Sequence, residues 1–268
     1  MAPTPTPSPP PEHAIPPLHL QVLNLAHEGA QRFFSHTSSP HSVLEKSCEI
    51  VLAALYPPAL IADDSSPPPG PPTIRSVTLH VRPFGGVAHT CGSDLDEQHK
   101  EVHLSADYVA QVGGDSRRIN HEIRGVLVHE LAHVFQWNGG GSCPGGVIEG
   151  IADWVRLGAD LGPPHWREGG DSWDAGYQTT AYFLAWLSSK FKNSLLVPEL
   201  NLALRSSGWD DGKVFKKLCH DKEVKELWEE YEKDLEKRRK QEEKEPEESP
   251  PKPVPTHAAG GGGYNVQY

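Results

Sequence analysis

Across 268 residues the chain carries 25 Lys and Arg against 36 Asp and Glu, a formal net charge of −11, with 37% hydrophobic residues. That balance argues against a nucleic-acid partner, because no basic patch stands outside a mixed-charge segment near the C-terminus. No run of 18 apolar residues occurs, so neither a membrane span nor a membrane partner is expected.

Residues 1–17 are rich in proline and, apart from Ile15, nearly devoid of core-forming side chains, so a disordered arm is expected there. No apolar segment of the kind that opens a secretion signal follows Met1, which favours an intracellular location. Residues 18–236 read as one domain, beginning with helices near 18–35 and 41–55. Val77, Leu79 and Val81 alternate with polar neighbours and predict a strand over 74–82, and Val102 and Leu104 predict another over 100–105. The segments 86–92 and 100–108 are candidates for a sheet edge able to pair with an extended peptide.

From about residue 117 the pattern turns helical, with apolar residues at 119, 123, 126, 127, 131, 134 and 135 forming one stripe. This helix carries His129-Glu130-Leu131-Ala132-His133. Residues four apart share a helix face, so the two imidazoles can converge on one ion, while Glu130 is rotated about 100° away. His129 and His133 are therefore candidate zinc ligands and Glu130 a candidate general base for a metal-activated water. In a chain with 15 histidines the pentapeptide alone is a weak signal, and its sequel decides. Asn138 to Gly146 is a Gly-rich breaker that must end the helix and reverse the chain.

A second helical pattern starts at Val147 and places Glu149 and Asp153 on one face. Catalytic zinc usually keeps three protein ligands and an open position, which makes Glu149 the candidate third ligand. Asp153 is expected to accept the free ring N–H of a ligand histidine and so fix its tautomer. Tyr177, opening a later helix, is the candidate donor to a developing oxyanion, with His165 as an alternative. His89, His103 and His121 lack ligand spacing to the motif and read as ordinary residues. Val224, Leu227, Trp228, Tyr231 and Leu235 define a last helix, after which a charged and then Pro- and Gly-rich disordered tail is expected over 237–268. Cys48, Cys91, Cys143 and Cys219 are too widely spread for a zinc or redox motif, so free thiols are expected. Cys143, in the loop between ligands, is considered for a regulatory contact with the metal.

An H-E-x-x-H helix followed by E-x-x-x-D resembles the gluzincin arrangement of thermolysin-type peptidases. The metzincin pattern is not met, since Gln136 and Gly139 stand where that class has Gly and His. A closer resemblance covers roughly residues 20–225. The strings His129 to Trp137, Pro144 to Arg156, His165-Trp166, Trp173 to Tyr177 and Thr180 to Leu184 are similar to the basic secretory protein family of plants and bacteria, as are Gly86 to Thr90 and Val102 to Tyr108. That resemblance implies an α+β, zincin-like fold: a small mixed sheet with N-terminal helices, followed by a mostly helical half that carries the metal site. It also implies one Zn2+ per chain, a peptide or protein substrate and hydrolysis of peptide bonds by a protein expected to be a monomer. The same residues would serve a zinc hydrolase of another amide or ester, and the scaffold would serve a catalytically silent binding module. The acidic charge and the missing secretion signal depart from the family's name.

Overall fold

A computed structural model describes residues 13–61, 70–206 and 208–243. Most of the arm expected at 1–17, and the tail from residue 244 onward, lie outside the described residues. In chain order the elements are β1 (Leu18–Val22), α1 (Glu28–His36), α2 (Pro40–Leu55), α3 (Pro58–Ile61), β2 (Ser76–Arg82), β3 (Ala88–Ser93), β4 (Asp96–Ser105), α4 (Ala106–Gln111) and α5 (Ser116–Phe135). The helical half continues with α6 (Gly145–Gly158), α7 (Tyr177–Lys190), α8 (Leu196–Ala203), α9 (Asp211–Leu218) and α10 (Val224–Glu242). The class is α+β, with a small mixed sheet ahead of a mostly helical half.

The four strands run in the order β1-β2-β4-β3, with β1/β2 and β2/β4 parallel and β3/β4 antiparallel. Alternation sorts the two faces: Val77, Leu79, Val81, Val102 and Leu104 are buried against the helices, while Thr78, His80, Arg82, Glu101 and His103 occupy the other face. Two expectations are corrected here. Residues 18–22 are a strand, not the start of a helix, and pair with β2 in the register Leu18↔Val77. Leu18, Leu20 and Val22 fit a period of two as well as a helical stripe, and long-range pairing with β2 decides between them. The helix begins only at Glu28, where the His27 ring accepts from Gly29 N. The segment 86–92 does lie at an edge, as β3, whereas 100–105 belongs to the interior strand β4 and 106–108 to α4.

Helix α5 is capped by Asp115, whose side chain accepts from Arg118 N. Its expected stripe, Ile119 through Phe135, is buried throughout. It packs against α2, α6 and the β3–β4 pair, so it is the central element that the site is built on. Tyr56, the C-cap of α2, donates its hydroxyl to Phe135 O at 2.6 Å, satisfying a carbonyl at the end of α5. Reversal follows through Gly139, Gly140 and Gly141, all at positive φ, a conformation that side chains with a Cβ seldom adopt. Helix α6 then lies close against α7. A Cβ added at Gly150 would stand 2.2 Å from Thr180 Cγ2, so that spacing demands glycine.

At the C-terminus, α10 packs Trp228 and Tyr231 onto Phe183 of α7. Leu235 is the last buried residue of α10 among those described. The charged segment from 237 opens as helix to Glu242, supported by surface pairs such as Lys240–Glu236. All four cysteines are unpaired.

Candidate metal centre

One turn of α5 separates His129 from His133, and one turn of α6 separates Glu149 from Asp153; the two helices bring these pairs face to face. His129 Nε2 and His133 Nε2 are 3.1 Å apart. Glu149 Oε2 lies 3.1 Å from the first and 3.6 Å from the second. Tetrahedral zinc with bonds of about 2.0–2.1 Å places its ligand atoms about 3.3 Å apart, so this triangle matches one face of such a tetrahedron. The donor set, two imidazoles and a carboxylate, also suits that ion.

The surrounding charge favours a cation. Burial by itself would depress the His129 imidazole, but its bonds to Asp153 and Glu149 outweigh burial and push its pKa up to about 9. Burial would raise Glu149, yet the hydrogen bonds from His129 and His133 hold it well below the usual carboxylate range. The negative potential that retains a proton on His129 acts equally on a divalent ion.

Each imidazole is held from behind. His129 Nδ1 lies 2.6 Å from Asp153 Oδ1, and Asp153 is 2% exposed. Asp153 therefore meets the histidine, and Arg156 pairs elsewhere, with Glu122. His133 Nδ1 lies 2.7 Å from the Gln136 amide, whose Oε1 is buried without a partner. Turning that amide brings Oε1 to accept from Nδ1–H and leaves Nε2 free to face a metal, so the Gln136 carboxamide completes the support of the second imidazole. Sequence reasoning used Gln136 only to exclude the metzincin pattern. Its place just past α5, three residues after His133, was the available signal.

Glu130 is 5% exposed and lines the same cleft as the imidazole pair. Its Oε2 accepts from Thr90 Oγ1 of β3 at 2.7 Å, and the Glu130 carbonyl lies 3.0 Å from the same hydroxyl. No spacing along the chain could have revealed this residue, because the contact spans β3 and α5. Around these groups opens a cleft of about 910 Å3, lined by Val87, by Ala88 to Cys91 of β3, by Trp137 and Trp166, and by His129, Glu130, His133 and Glu149.

Tyr177 stands at the mouth of this cleft, 56% exposed, its ring parallel to that of His129 at 6.4 Å. It opens α7 at φ +47°, and the charge of Glu149, with some burial, raises its phenol so that it stays neutral. His165 also lines the cleft. Cys143 is not among the lining residues, and burial pushes its thiol up to about 12, which disfavours the thiolate a metal contact needs.

Beside the site, Glu122 is 3% exposed and accepts from Tyr108 Oη at 2.8 Å, Arg118 Nη1 at 2.7 Å and Arg156 Nη2 at 3.0 Å. Arg156 also donates Nε to Leu161 O at 3.0 Å and lies over the Trp166 ring. This network ties α4, α5 and α6 together, and its Tyr108, Glu122 and Arg156 line the same cleft as His129 and Asp153.

No curated protein and no solved structure matches the chain. The sequence model of a family described as peptidase of plants and bacteria matches residues 15–231, which takes in β1 through the first two turns of α10 and every residue of the site. With that span matched, the chain belongs to the basic secretory protein family, the peptidases of plants and bacteria.

Proposed function

We propose that this peptidase is zinc-dependent, with His129, His133 and Glu149 as the metal ligands. The observation that supports this most directly is the triangle of donor atoms at 3.1, 3.1 and 3.6 Å, with a carboxylate behind one imidazole and a carboxamide behind the other. When bound, zinc supplies Lewis acidity, acidifying water and polarising a carbonyl.

The protein's own groups do the rest. Glu130, held by Thr90, accepts a proton from the attacking water and delivers it to the leaving amine. The neutral phenol of Tyr177 donates to the oxygen on which negative charge develops. Asp153 keeps the His129 proton on Nδ1 and leaves Nε2 as the ligand atom. Among the described residues strand β3 pairs on one side only, with β4, so its other edge is a candidate for an extended peptide lying across the cleft. Among the described residues no helix is long and apolar enough to cross a membrane.

The test joins metal analysis to cleavage of a peptide library with and without a chelator. One zinc per chain, chelator-sensitive cleavage and a Glu130→Gln variant that keeps zinc but loses cleavage are the expected results. A metal-free protein that binds no added zinc would overturn the reading. Hydrolysis confined to non-peptide amides or esters would replace the substrate class and leave the ligands in place.

A further inference from the structure

On the face of the sheet turned away from the helices, register aligns three histidines. His80 of β2 is the cross-strand partner of His103 of β4, which is in turn the partner of His89 of β3. Their rings stack at 4.5 and 4.6 Å, within 12° and 10° of parallel. Glu101, two residues before His103 and so on the same face, reaches back to this row. Its Oε2 lies 3.2 Å from His103 Nε2 and 3.8 Å from His80 Nε2. We propose that His80, Glu101 and His103 form a second transition-metal site, distinct from the one between α5 and α6.

All three ligand atoms lie within 4.8 Å of one another, and the half-buried His80 ring can tilt to close the widest edge toward the spacing of about 3.3 Å that zinc requires. Burial, followed by the neighbouring His80 and His89, lowers the pKa of His103 and keeps its imidazole neutral, the form that binds metal. Two imidazoles and a carboxylate take borderline divalent ions such as Zn2+, Ni2+ and Cu2+. The neighbouring group His89, Cys91 and His103 is less suited, because burial and then Glu101 raise the Cys91 thiol and oppose the thiolate.

Arg82 sets the affinity. Its Nε donates to His103 Nδ1 at 3.0 Å, so the ring proton sits on Nε2, facing Glu101. An ion arriving at Nε2 sends that proton to Nδ1 and breaks the Arg82 bond, while the guanidinium keeps its place over Phe84. The site is therefore weaker than one with a free Nε2, and removing Arg82 should tighten it about tenfold.

The test is equilibrium dialysis of the full chain against Zn2+ at neutral pH, read as the difference between parent and variant so that it stands whatever His129 and His133 hold. His80→Ala and Glu101→Gln should each bind one ion fewer than the parent with unchanged peptide cleavage, and Arg82→Ala should bind the same number with about tenfold higher affinity at this site. Equal stoichiometry in parent, His80→Ala and Glu101→Gln overturns the site. An ion lost on Cys91→Ser but kept in Glu101→Gln overturns the ligand assignment. Should the variants unfold, imidazole 15N spectra of the parent decide. Saturable Zn2+-dependent shifts of His80 and His103, with the His103 proton moving to Nδ1, support the site, and unmoved signals refute it.

Discussion

Thr90 Oγ1 lies 2.7 Å from Glu130 Oε2, so a hydroxyl on an edge strand holds the carboxylate that the proposed mechanism uses as its base. The contact fixes the rotamer of Glu130 and couples the strand that would carry substrate to the helix that carries the ligands. Thr90→Val keeps the shape and removes the donor. Because a hydrogen bond to a charged group is worth about 1.5–3 kcal/mol, kcat for peptide cleavage should fall about 10- to 100-fold, with KM and zinc content little changed. Thr90→Ser should restore most of the rate. Equal kcat in Val and Ser variants would remove Thr90 from the mechanism.

Asp153 touches the imidazole and no substrate, so its loss should appear first in metal affinity. Asp153→Ala should weaken zinc binding about 10- to 100-fold in competition with a chromophoric chelator, since the His129 tautomer is no longer held. Asp153→Asn, which retains an acceptor oxygen without the charge, should fall between parent and Ala. Unchanged affinity in both variants would show that His129 needs no partner behind it.

Tyr177 is 56% exposed, so its hydroxyl can be removed with little effect on folding. Tyr177→Phe should lower kcat about 100-fold if the phenol donates to the developing oxyanion. The midpoint of thermal unfolding should stay within about 2 °C of the parent. A rate within about twofold of the parent would return the oxyanion role to His165, which lines the same cleft.

The buried Glu122 predicts an acid limb in stability. Burial by itself would raise its pKa, but the bonds from Arg118, Arg156 and Tyr108 outweigh burial and lower it. A carboxyl whose folded value lies below its unfolded one contributes fully above about pH 4.5 and loses that contribution as pH falls through the folded value. Glu122→Gln should therefore flatten the acid limb of urea-unfolding stability below about pH 4.5. At neutral pH it should cost about 3–5 kcal/mol, because Arg156 is left buried beside a neutral amide. A variant as acid-labile as the parent would place the sensitivity elsewhere.

Much of the candidate centre was legible because its spacing is local. His129 and His133 on one helical face, Glu149 and Asp153 on another, and the Gly-rich reversal between them follow from a 3.6-residue period and the left-handed backbone of Gly139 to Gly141. The stripe from Ile119 to Phe135 and the last helix through Leu235 were legible for the same reason. Tertiary structure alone decided the rest. Residues 18–22 fit a helix or a strand until β2 offered a parallel partner. Thr90 reaches Glu130 across 40 residues, and Arg156 chooses Glu122 over the nearer Asp153 across 34. The histidines set aside as ordinary, His89 and His103, form a row with His80 only because strand register puts them opposite one another. Helical spacing is written in a few consecutive residues, whereas cross-strand register and packing between elements depend on where distant segments pair, which no local period encodes.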